Sequence, residues 1–113
     1  MSNTGKFYIN GEWVEPIGSD TVDVINPATE EVFGRIALGD KDDVDAAVEA
    51  AYNAFESFGY SSVDERVSLL EKILEVYQGK YDEIAETISS EMGAPIGLSK
   101  ACLLYTSDAA DEG

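Results

Sequence analysis

The sequence predicts an α+β arrangement, a short antiparallel β-unit followed by two amphipathic helices. Three observations carry it. Residues 7–14 are β-prone on either side of Asn10-Gly11, the strongest short-range hairpin signal. Val44, Ala47, Val48, Ala51, Phe55 and Phe58 recur at helical spacing. Val67, Leu70, Leu74, Tyr77, Tyr81, Ile84, Ile88 and Met92 do so again, at alternating intervals of three and four.

In chain order, Phe7 to Val14 is a hairpin, broken by Pro16-Ile17-Gly18-Ser19. Thr21 to Ile25 is a strand ended by Asn26-Pro27, because the residue before a proline is pushed out of the helical region. Ala28 to Glu31 makes the turn and Val32 to Leu38 the next strand. Val22, Val24, Phe33 and Ile36 are the expected core of this β-unit. Asp40 is a good N-cap for the first helix, and Asp42, Asp43 and Asp45 sit where the helix dipole favours negative charge. Gly59 ends that helix, and its alanines permit close packing. Joined by Tyr60-Ser61-Ser62, the two helices read as an αα-hairpin.

The second helix is expected to be continuous from Ser62 to Met92. Ser62 with Glu65 is a capping-box start, and Gly93 with Pro95 is a stop. Only Gly79 opposes continuity, at about 1 kcal/mol relative to Ala. From Asp64 to Met92 such a helix spans roughly 42 Å. A compact chain of this size is only about 34 Å across. A helix that outspans its own domain is expected to lie against a partner or against more of the same chain.

The totals narrow the function. Of 113 residues, 44 % are apolar, enough for one domain with a core. Seven basic and 23 acidic residues give a net charge of −16, which disfavours nucleic acid and anionic membrane surfaces as partners. No apolar run reaches the length of a membrane span and residues 1–6 lead into no signal-peptide core, so the expected location is cytoplasmic. One Cys and no His leave no disulfide framework and no zinc site. Cys102 has no His to activate it, and no glycine-rich phosphate-binding loop occurs. Carboxylate pairs such as Asp42/Asp43 and Glu30/Glu31 are explained as caps and solvated turns. Composition and spacing alone stop at an acidic α+β piece, and a free-standing acidic protein-interaction module is one reading of it.

Four blocks carry a resemblance that goes further. They are Phe7 to Val14 (F-Y-I-N-G-E-W-V), Val24 to Glu31 (V-I-N-P-A-T-E-E), Ile36 to Val48, and Ser90 to Ala101 (S-E-M-G-A-P-I-G-L-S-K-A). In this order and spacing, residues 6–101 resemble the N-terminal segment of the NAD(P)-dependent aldehyde dehydrogenase superfamily. The family often has Lys where this chain has Ala94. The resemblance implies an incomplete part of a cofactor-binding domain within a larger α/β fold, with the helices resembling 41–58 and 62–92 on its outside. It implies a parent enzyme, expected to be a homo-oligomer, that oxidises an aldehyde to a carboxylic acid with NAD or NADP. A cysteine forms a thiohemiacetal, hydride leaves to the nicotinamide, and a glutamate-activated water hydrolyses the thioester. Those residues lie beyond position 101 in family members, so no catalytic and no cofactor-binding residue is expected here. The chain alone is expected to be inactive, to bind no cofactor, and to have the remainder of the parent enzyme as its partner. The resemblance also implies a monovalent-cation site between backbone carbonyls of Val24 and Ile25 and the carboxylate of Glu91.

Residues 102–113 match no pattern of the family. Cys102 to Glu112 has no period extending what precedes it, although Leu98 to Ala101 reads as the start of a helix. The tail resembles one translated frame of a transposase adapter used in DNA sequencing libraries, and is expected to be an artefactual addition.

Overall fold

The computed structural model describes residues 3–111. Its elements in chain order are β1 (Phe7–Ile9), β2 (Glu12–Val14), β3 (Thr21–Asn26), β4 (Glu31–Ala37), α1 (Lys41–Phe58), α2 (Val63–Gly79), α3 (Tyr81–Met92) and α4 (Ile96–Asp111). They divide into two compact units. The first holds the strands and α1, and the second holds the Asn26–Glu31 turn and everything from Ser62 onward.

In the first unit, β1 and β2 form the expected antiparallel hairpin, with Phe7 opposite Val14, Tyr8 opposite Trp13 and Ile9 opposite Glu12. Asn10 (φ 54°) and Gly11 (φ 79°) both adopt left-handed backbone, the combination that matches strand twist in a two-residue turn. The rings of Tyr8 and Trp13 meet edge to face with centroids 5.2 Å apart. β3 and β4 pair antiparallel in a separate two-stranded sheet. The single β-unit expected from the sequence is therefore two sheets. Pro16, which has no N–H to donate, interrupts the chain between them. One backbone bond, from the Ala37 amide to the Thr4 carbonyl at 3.1 Å, ties β4 to the segment leading into β1.

The expected β-core is only partly formed. Val24 is half-buried, while Val22, Phe33 and Ile36 are 42 %, 38 % and 39 % exposed. A two-stranded sheet has too few inward positions to enclose its own apolar face.

In the second unit, the long helix is broken. Lys80 (φ −106°, ψ 9°) leaves helical geometry immediately after Gly79. Its amide is shared between the carbonyls of Val76 and Tyr77, each at 3.1 Å, and its own carbonyl accepts from Ile84 to start α3. The glycine penalty and the missing Cβ that would stiffen this turn outweigh continuity of the stripe. The length argument therefore fails, since neither α2 nor α3 outspans a small domain. The capping signals hold: Ser62 and Glu65 form a reciprocal box at α2, and Gly93 ends α3 at φ 68°.

Within this unit α3 packs against both α2 and α4. Among the described residues of this unit, Ala85 on α3 and Ser99 and Leu103 on α4 are buried. Ala85 and Ser99 are small enough to allow close helix approach. Of the predicted stripe, Leu74, Tyr77, Tyr81, Ile84 and Ile88 are half-buried, whereas Val67, Leu70 and Met92 are exposed. Of the two helices expected as an αα-hairpin, α1 belongs to the first unit and α2 to the second. α4 also runs on through the tail to Asp111, where no helical period was legible.

Candidate functional site

The most elaborate polar cluster lies at the N-terminus of α1. Asp40 caps the helix, accepting from the amides of Asp42 (2.9 Å) and Asp43 (3.1 Å). Asp43, only 5 % exposed, returns the bond to the Asp40 amide at 3.1 Å. Its two oxygens also accept from Ile17 (2.7 Å) and Gly18 (3.1 Å), 26 and 25 residues away. These donors stabilise the anion, Ile17 most of all, and hold the Asp43 carboxyl below the usual range for an aspartate. Gly18 packs closely on the cluster, since a Cβ there would lie 3.2 Å from the Asp40 side chain and 3.3 Å from the Asp43 carboxylate. Asp43 reads from the sequence as a first-turn acid on the helix dipole. Its clamping role was legible locally in the three-residue spacing from Asp40, but its long-range partners were not. With all its near donors backbone amides of its own unit, this cluster joins a loop to a helix.

Beside it, Phe7, Tyr8, Ile9, Gly39, Asp43, Val44 and Ala47 line an open, mainly apolar depression of about 310 Å³. It presents no nucleophile and no paired acid and base.

In the second unit two tyrosines read as apolar stripe residues also act as donors. The Tyr77 hydroxyl donates to the Leu103 carbonyl at 3.0 Å and the Tyr81 hydroxyl to the Lys100 carbonyl at 2.5 Å. Lys100 pairs with Asp82 at 2.8 Å, and this hydrogen bond together with its charge raises the lysine pKa. Ser89 donates to the Ala94 carbonyl at 2.7 Å across the Gly93 turn. A Cβ on Gly93 would stand 3.3 Å from the Ala28 nitrogen and 3.4 Å from the Pro27 side chain. The turn after β3 thus sits directly on the end of α3.

The residues of the expected cation site are placed as follows. Val24, half-buried, and Ile25, 53 % exposed, lie near the end of β3 in the first unit. Glu91 is exposed at the penultimate position of α3 in the second. Two carbonyls and one carboxylate are hard oxygen donors of the kind an alkali cation takes. No cluster of three or more His, Cys, Asp or Glu suited to a metal occurs among the described residues. Cys102 is an exposed thiol on α4. No helix among the described residues is long and apolar enough to cross a membrane.

Comparison with known proteins gives these features a context. The model of the aldehyde dehydrogenase family matches residues 13–112. A protein of that family from Staphylococcus aureus (strain bovine RF122 / ET3-1) is 53 % identical over 100 residues, 88 % of this chain and 21 % of the relative. A crystal structure of an aldehyde dehydrogenase from Bartonella henselae superposes with a TM-score of 0.83 at 45 % identity, covering 85 % of this chain and 20 % of that one. The TM-score is 0.86, at 40 % identity over 88 % of this chain and 21 % of the other, for a Pseudomonas syringae aldehyde dehydrogenase mutant solved with NAD+ and octanal. The chain spans about a fifth of the length of the relatives it matches. Its hairpin, its two capped helices and the Gly93 turn are thus one portion of a much larger architecture, and the chain belongs to the aldehyde dehydrogenase family.

Proposed function

We propose that these residues form the N-terminal part of an enzyme that oxidises an aldehyde to a carboxylic acid with NAD(P)+ through a cysteine thiohemiacetal. The observation that carries it is a hundred-residue match at 53 % identity, supported by superposition at TM-scores of 0.83 and 0.86. The free-standing interaction module is disfavoured, because the family model runs through nearly the whole chain.

In this reading the segment contributes scaffold. The Asp40/Asp43 cluster orients α1, and the Gly93 turn seats the Asn26–Glu31 loop. The nucleophile, the general base and the nucleotide contacts come from the remainder of the parent enzyme, which works as a cytoplasmic homo-oligomer. A monovalent cation held by Val24 and Ile25 carbonyls and the Glu91 carboxylate belongs to the same proposal. The family model extends through residues 102–112, past the end of the resemblance read from the sequence; the adapter-like origin of residues 102–113 is part of this proposal only.

The test is a chimera in which residues 1–101 replace the matching segment of the Staphylococcus aureus relative. Aldehyde-dependent NAD(P)H formation is expected from the chimera and none from the 113-residue chain. A folded chimera that oxidises no aldehyde would count against the proposal, as would activity in the isolated chain.

A further inference from the structure

The chain has four asparagines, and the residue after each one sets its chemistry. The side-chain amide of an asparagine is open to attack by the backbone nitrogen of the next residue, and a side chain on that residue hinders the approach. Asn3 precedes the β-branched Thr4, and Asn26 precedes Pro27, whose nitrogen has no proton to lose. Asn53 lies inside α1, where helical backbone fixes its ψ. Asn10 precedes Gly11, and a Cβ built on Gly11 would meet nothing within 4 Å.

The hairpin governs whether that attack can occur. Asn10 at φ 54° and Gly11 at φ 79° are left-handed, a region centred on a ψ of about +47°. Such a ψ turns the Gly11 nitrogen away from the Asn10 side chain, so the closed turn is held out of attack geometry. The closure itself is weak. β1 and β2 are three residues each and form a sheet of their own, with the Tyr8–Trp13 ring contact across it. A two-stranded hairpin is marginal in water, and opening it frees the ψ of Asn10.

We infer that Asn10 is a deamidation site gated by opening of the β1–β2 hairpin. In the open turn the Gly11 nitrogen bonds to Cγ of Asn10 and passes its proton to the departing amide, which leaves as ammonia. Water then opens the cyclic imide at either carbonyl, giving aspartate or isoaspartate at position 10. No oxidant or reductant takes part. The isoaspartate form carries one more main-chain carbon in a two-residue turn, so Ile9 and Glu12 lose the register in which they face each other. The inference concerns the hairpin alone and goes beyond the proposed function.

The test is incubation of the folded chimera at mildly alkaline pH, in buffer and in urea, with aspartate and isoaspartate at position 10 counted by peptide mass spectrometry. Conversion in buffer is expected to be at least about tenfold slower than in urea. Trp13→Ala and Tyr8→Ala each remove the ring contact and are expected to raise the buffer rate about two- to tenfold, with the urea rate unchanged. In the unmutated chimera the rate should climb at urea concentrations below the unfolding midpoint, which marks local opening. Absence of isoaspartate in urea overturns the site, and equal rates in buffer and urea overturn the protection. A rate that stays flat until the whole chimera unfolds, or that neither ring variant moves, overturns the gate. Aldehyde oxidation reads the proposed function and conversion at position 10 reads the hairpin, so either can fail alone.

Discussion

The carboxylate of Asp43 lies 2.7 Å from the amide nitrogen of Ile17, and this bond joins the first turn of α1 to a loop 26 residues earlier. It has a definite pH signature. The folded-state pKa is depressed, chiefly by the Ile17 amide, so the clamp stabilises the fold fully above the unfolded value of about 3.9. Its contribution is lost as pH falls through the lower folded value. Protection of the Ile17 and Gly18 amides in the chimera, taken relative to the intrinsic exchange rate at each pH, is expected to fall on acidification below about pH 4. Asp43→Asn should show fast exchange at neutral pH and little further acid response. An Ile17 protection factor that does not change with pH in the unmutated chimera would refute the clamp.

Gly93 and Gly79 should respond to Ala in opposite directions. At Gly93 the backbone is left-handed and a Cβ would press on Ala28, so Gly93→Ala should destabilise by about 1–2 kcal/mol or more. Gly79 has open space where its Cβ would be and closes a helix. Gly79→Ala should stabilise by about 0.5–1 kcal/mol. Denaturant midpoints of the two chimera variants give the comparison, and equal signs would contradict it.

Removing the Ser62 hydroxyl should cost about 0.5–2 kcal/mol, the usual range for an N-cap serine. The Glu65 amide then loses its 3.2 Å acceptor, while the Glu65 side chain keeps its 2.6 Å bond to the Ser62 amide. Because the second half of the box survives, the low end is expected for Ser62→Ala, and Ser62→Asp should restore stability. Thermal melts of the three chimeras decide it.

Tyr81→Phe keeps the ring that packs between α3 and α4 and removes only the donor to the Lys100 carbonyl. A loss of about 0.5–1.5 kcal/mol is expected. Tyr81→Ala should cost more, because packing goes as well. A Phe variant as unstable as the Ala variant would show that the hydroxyl, not the ring, holds the helix pair.

The isolated 1–101 segment is not expected to be a cooperatively folded monomer. Its buried apolar residues reduce to Ala85 among those described in that span, while large side chains along α1 and α2 stand open. Each such side chain forgoes roughly 1.5–3 kcal/mol of burial, against an ordering cost of about 1–2 kcal/mol per residue. Self-association or dye binding is expected in size-exclusion and thermal experiments. A single sharp melt at a monomeric elution volume, without dye binding, would favour a self-standing module.

Much of the local structure was determined by the sequence itself, because the forces that set it act over a few residues. Asn10-Gly11 dictated the hairpin, Ser62 and Glu65 the start of α2, Asp40 the start of α1, and Gly93 the end of α3. The ordered blocks F-Y-I-N-G-E-W-V to S-E-M-G-A-P-I-G-L-S-K-A were enough to indicate the family. Tertiary structure decided what depends on residues far apart. The helix break at Lys80 turned on a balance of about 1 kcal/mol at Gly79 that periodicity cannot resolve. The separation of the strands into two sheets depended on pairing partners that no strand pattern specifies. Tyr77 and Tyr81 satisfy the helical period whether or not their hydroxyls find a carbonyl, so only the placement of α4 revealed them as donors. The stripe on α1 was legible as apolar, but apolar spacing records that a face will be covered and not what covers it. Hydrophobic burial is non-directional, so that choice belongs to the fold as a whole.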